Sequence, residues 1–145
     1  MSKCKNMKTK ILLPVLSFIL FVNIINAQNS LKLKAYTPQK GTTERKEILD
    51  ALREKMYEMH HLEVIFVVKY MKVFNGWAWV HTLPQSPDGK NKYEDVLALI
   101  HKENNGWQVK EIPCTEIENP ECIDSEDYFT NLKKRFPDMP VCILP

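Results

Sequence analysis

Apolar residues along the chain change their period three times, and each change marks an element. Ile48, Leu49, Leu52, Met56 and Met59 recur at three- and four-residue spacing, with Arg45, Lys46, Asp50, Arg53, Glu54 and Glu58 largely on other faces. That pattern predicts an amphipathic helix of about four turns. Thr42 and Thr43 offer a hydroxyl cap, and Glu44 and Glu47 bring negative charge to the first turns, where the helix dipole favours it. Before it, Pro38 and Gly41 mark a turn. Residues 28–40 are a lead-in, with Leu31, Leu33 and Ala35 alternating against Lys32 and Lys34; this is either an edge strand or a tether.

After His60-His61 the pattern becomes that of strands. Val64 to Phe74 is β-branched and aromatic, and it runs into Asn75-Gly76, a pair that suits the positive φ angles of a two-residue hairpin turn. Trp77 to Leu83 returns. Pro84 to Lys92 is a polar, turn-rich loop. A third strand, Tyr93 to Lys102, meets a second hairpin at Asn104-Asn105-Gly106, and Trp107 to Ile112 closes it. Short turns between sequential strands imply an antiparallel meander. Beyond Pro113 the chain is acidic. Ser125 then offers a cap to a short helix, Glu126 to Phe136, carrying Phe129, Leu132 and Phe136 on one face and ended by Pro137. The expected fold is therefore α+β: one amphipathic helix on a four-stranded antiparallel meander, with a short C-terminal helix. Residues 41–145 form the expected single domain.

The first 27 residues read differently. Lys3, Lys5, Lys8 and Lys10 precede an apolar run from Ile11 to Ile25, and Ala27 comes after it, which together are the parts of a secretory signal peptide. Pro14 and Asn23 interrupt the run, which is shorter than the ~20 apolar residues a spanning helix needs. Residues 1–27 are thus assigned as a signal peptide cleaved after Ala27, the alternative being an uncleaved anchor. The expected location is periplasmic or extracellular, with no membrane association after signal removal.

Charge changes once this segment is set apart. The whole chain carries a formal +2. Without the four leading lysines it carries sixteen basic residues against eighteen acidic ones, so no basic surface argues for nucleic acid. Export implies an oxidising compartment, and three cysteines lie beyond the signal. Cys114 with Cys122 is the first choice of disulfide because the two flank a short, Pro-containing loop. Cys142 is left to pair with another chain or to stay buried and inert.

Three stretches carry a resemblance. Pro38-x-x-Gly41-Thr42-x-x-Arg45-x-x-Ile48-Leu49-Asp50-Ala51-Leu52-Arg53, then Trp77-Ala78-Trp79 with Pro84-Gln85, and finally Gly106-Trp107-Gln108-Val109 together resemble a broad family of small exported bacterial proteins. The likeness covers about Tyr36 to Ile112 and carries no catalytic residues to transfer. In architecture the helix-on-curved-sheet plan is similar to cystatin-like and nuclear-transport-factor-like folds. Val73-Phe74-Asn75-Gly76-Trp77 and Asn104-Asn105-Gly106-Trp107 lack the hairpin motifs of inhibitory cystatins, so protease inhibition does not come with the likeness.

Little in the chain points to chemistry. His60, His61, His81 and His101 lack the short paired spacing of a zinc set, and no metal or cofactor is expected. No Gly-x-Ser-x-Gly elbow or phosphate-binding glycine loop is present. Glu116, Glu118 and Glu121 read as a solvated acidic loop. The most distinctive feature is aromatic: Tyr70, Trp77, Trp79 and His81 share strand parity, with Tyr70 opposite His81 in the register set by Asn75-Gly76. This row either lines a pocket for a small apolar ligand or forms the core under the helix. The leading expectation is an exported, non-enzymatic domain binding a protein partner or a small ligand in the cell envelope. The alternative is a small pocket enzyme of the isomerase or dehydratase kind, with His81 or Asp95 as base and Tyr70 as hydrogen-bond donor.

Overall fold

The computed structural model describes residues 34–114 and 121–145. The signal-peptide assignment, most of the lead-in, and Glu116 and Glu118 lie outside the described residues. The described chain folds as an α helix on one face of a four-stranded antiparallel sheet, with a short C-terminal helix, in the α+β class.

Helix α1 spans Thr43–His60. Thr42 caps it, its hydroxyl accepting from the Arg45 backbone N–H, and His61 ends it in the left-handed region at φ 53° with its N–H on the Tyr57 carbonyl. The helix is a turn longer than its apolar spacing alone suggests, because its polar first turn, Thr43 to Glu47, precedes the buried stripe that starts at Ile48. Ile48, Leu52 and Met56 form the buried ridge.

The sheet runs β1 (Ile65–Phe74), β2 (Trp77–Gln85), β3 (Val96–Glu103) and β4 (Gly106–Glu111), each strand beside the next. Asn75 at φ 48° and Gly76 at φ 75° make the expected tight turn between β1 and β2. Phe74 pairs with Trp77, and the register holds back to Tyr70 opposite His81; a bulge at Lys69 then shifts it, so Val68 faces Thr82. Strand β3 starts later than its apolar pattern suggests, at Val96. Before it, Tyr93 and Asn91 hold the β2 end through the Pro84 carbonyl and the Ser86 N–H. The lead-in touches β1 where Tyr36 exchanges both backbone hydrogen bonds with Val73 and where the Thr37 hydroxyl donates to the Met71 carbonyl.

Two cores result. On the α1 face, Ile48, Leu52 and Met56 pack on Met71, Val73, Ala78, Val80, Ala98, Ile100 and Trp107. On the opposite face, Phe74, Trp77, Trp79 and Leu99 are covered by the C-terminal segment. That segment comprises helix α2 (Tyr128–Arg135) and a one-turn 3₁₀ stretch at Val141–Ile143, contributing Tyr128, Leu132, Met139 and Ile143. Helix α2 is shorter than expected at its start: Asp127 stands at the cap without a side-chain bond, and Ser125 contributes its carbonyl to Tyr128 in the preceding turn. The sheet is thus the middle layer of three.

Candidate functional site

The aromatic row lies on the face turned away from α1. Strands alternate their side chains, so the positions under α1 are Met71, Val73, Ala78 and Val80, while Tyr70, Trp77, Trp79 and His81 point to the C-terminal segment. Where the row serves as core, then, it is the core beneath α2. Trp79 is fully buried, edge-on to Phe129 with ring centres 5.8 Å apart, and Trp77 stacks on His101 at 4.0 Å. The Tyr70 hydroxyl lies 3.0 Å from both the Ile143 and Leu144 carbonyls, and burial pushes its pKa up. At the open end of the row, His81 Nε2 lies 2.7 Å from Asp95 Oδ2. The four residues are brought together, but the chain's own C-terminus fills the space over three of them.

A charged cluster anchors that C-terminus. Glu111, at the end of β4, is buried, and its carboxylate accepts from the Tyr128 hydroxyl at 2.7 Å and from two nitrogens of Arg135. Arg135 also reaches Glu121 at 2.8 Å, and the Asn131 amide donates to the other oxygen of Glu121. These bonds from Asn131 and Arg135 hold the Glu121 carboxyl below its ordinary range. Burial and the bond to Glu111 drive the Tyr128 hydroxyl far above its own. Glu121 therefore belongs to a structural clamp rather than to a solvated acidic run. The parity of Glu111 comes from a second bulge, between Leu99 and Ile100, which sets Glu111 opposite Leu99 on the α2 face.

Open space lies on the other side of the sheet. A cavity of about 820 Å³ lies beside the C-terminal half of α1. Met56, Met59 and Leu62 form one wall, and Tyr93, Val96 and Ile112 the other. Lys55, Glu58 and Asp95 stand among its polar lining groups. A mostly apolar cleft of this size, with a few polar groups, is the usual form of a small-molecule site. Pattern reasoning missed it because the same residues read as core. A cue was present in Met59, one turn past the last buried residue of α1 and only partly covered.

Cys114 also lines the cavity and is joined to Cys122, with Cα atoms 4.5 Å apart. No described cysteine is free, so Cys142 is not the inert thiol that was one of its expected fates. Among the described residues no helix is long and apolar enough to cross a membrane. In comparisons with known proteins, no family model, no curated protein and no solved structure matches the chain.

Proposed function

We propose that the chain is an exported, non-enzymatic domain that binds a small, mostly apolar ligand in the cleft between α1 and the sheet. One observation carries this: the cleft of about 820 Å³ walled by Met56, Met59, Tyr93, Val96 and Ile112. Methionines adapt their shape to a guest at low cost, which suits a site that takes one from solution. The leader-like start and the Cys114–Cys122 disulfide support export to an oxidising compartment. Native mass spectrometry of the secreted protein, followed by titration with a medium-chain alcohol and an aromatic alcohol, tests it. Binding lost on Met59→Trp, which fills the cleft, and kept in Tyr57→Trp, on the exposed side of α1, is the expected result. Binding of neither alcohol, or binding indifferent to Met59→Trp, overturns the reading.

A second reading rests on Asp95, which lines the same cleft and pairs with His81. A carboxylate–histidine pair beside an apolar cavity suits proton transfer next to a carbonyl, as in an isomerase or dehydratase. Tyr70 would have to leave two backbone carbonyls to donate to a substrate, so the pair carries this reading without it. Turnover of a carbonyl substrate, lost in both Asp95→Asn and His81→Ala, would favour the enzyme over the binding domain.

A further inference from the structure

Of the sheet's two edge strands, β1 and β4, β1 is open along the first half of its outer edge among the described residues. Tyr36 and Thr37 cover its second half, Tyr36 pairing with Val73 and the Thr37 hydroxyl donating to the Met71 carbonyl. From Val64 to Val68 no backbone group has a partner on that side among the described residues. Register identifies which groups are free. The Pro84 carbonyl and Ser86 N–H bond toward β3, so Leu83 and Gln85 bond toward β1, to Val67 and Ile65. The outward N–H and C=O groups therefore belong to Val64, Phe66 and Val68. An open edge of β-branched residues is a template for another strand.

Side chains along this stretch have an unusual order. Glu63 and Lys69 stand three residues either side of Phe66, both exposed, and five apolar residues separate them. Neither makes an ion pair among the described residues. Ile65 and Val67, on the face away from α1, are two of the four large apolar side chains left exposed among the described residues.

We propose that β1 is the contact through which two copies of this chain pair, antiparallel, about a two-fold axis at Phe66. That axis is the one the free groups require. It sets Phe66 against Phe66 and Val64 against Val68 as hydrogen-bonded pairs, using all six outward groups of each copy. The same axis brings Glu63 against Lys69 at both ends and Ile65 against Val67 on the exposed face. A parallel pairing sets Glu63 beside Glu63 and Lys69 beside Lys69. The charge order thus selects the antiparallel two-fold arrangement, and the bulge at Lys69 ends the pairing where Tyr36 and Thr37 begin.

Sedimentation velocity of the purified protein over a concentration series tests this. A monomer–dimer equilibrium is expected. Glu63→Lys or Lys69→Glu alone turns two attractive pairs into two repulsive ones and raises the dissociation constant roughly tenfold. Glu63→Lys combined with Lys69→Glu restores it. All these positions are exposed, so circular dichroism matching that of the parent is the expected control for fold. Chains carrying Ile65→Cys and Val67→Cys cross-link when mixed and far less when kept apart. A protein that stays monomeric throughout, a dimer unmoved by either single charge change, or a double change that fails to restore pairing overturns the proposal.

Discussion

Arg135 grips Glu111 with two nitrogens, Nε lying 3.0 Å from Oε2 while the terminal Nη2 reaches Oε1. The carboxylate is buried at the end of β4, and the guanidinium sits at the surface end of α2. The pair joins the C-terminal helix to the sheet, and the Tyr128 hydroxyl donates to the same carboxylate. The energetics are asymmetric, since removing one partner leaves the other's charge stranded.

Arg135→Ala is therefore expected to cost about 2 kcal/mol, below the range for fully buried pairs because the arginine is partly exposed. Glu111→Gln, added to that variant, is expected to recover part of the loss by removing the stranded charge. Arg135→Lys recovers less than the full value, since one ammonium cannot span both oxygens. Urea denaturation of the three variants checks the order.

The order of elements was legible because each has a distinct period, and Asn75-Gly76 fixed the first hairpin as far as Tyr70 and His81. Facing was not. Trp77-Ala78-Trp79-Val80 is apolar at every position, so alternation cannot say which side meets α1. Glu111 was hidden for a related reason. Counting back from the Asn104-Gly106 turn without a bulge sets it opposite Ala98, on the α1 face; the extra residue, Lys110, moves it to the face of Tyr128 and Arg135. The cleft was hidden because an apolar wall looks the same in sequence whether or not anything fills the space beside it.

Alkaline pH should weaken the fold through three tyrosines, since burial raises the hydroxyl pKa of Tyr70 as well as those of Tyr36 and Tyr128, which have the largest shifts. Burial, with a hydrogen bond to Glu44 for Tyr36 and to Glu111 for Tyr128, raises the latter two hydroxyl pKa values well above ordinary. Above about pH 10 the unfolded chain releases these protons while the folded one keeps them. Stability is then full below that pH and falls as pH rises, at about 1.4 kcal/mol per pH unit for Tyr128. Tyr128→Phe removes that share of the slope, at the cost of one hydrogen bond at neutral pH. Tyrosinate absorbance during titration should show these hydroxyls ionising only with unfolding.

Closing the loop between Cys114 and Cys122 restricts the unfolded chain modestly, since only seven residues lie between them. Replacing both with serine is expected to lower stability by about 2–3 kcal/mol. The peptide map of unreduced protein should contain the joined pair. Free thiols at both positions would contradict the disulfide.

The two cores should answer separately to truncation, because the sheet stands between them. Leu52 and Leu132 are both fully buried, Leu52 under α1 and Leu132 under α2. Replacing either with alanine removes similar apolar volume and is expected to cost about 2–5 kcal/mol. Two of the three tryptophans, Trp77 and Trp79, lie in the α2 core, and Trp107 lies in the other. Leu132→Ala loosens the cover over Trp77 and Trp79 and should raise acrylamide quenching of fluorescence more than Leu52→Ala does at matched stability. Equal quenching in the two variants would mean that the C-terminal segment does not seal the aromatic row, and that Tyr70, Trp77, Trp79 and His81 are open to a ligand from that side.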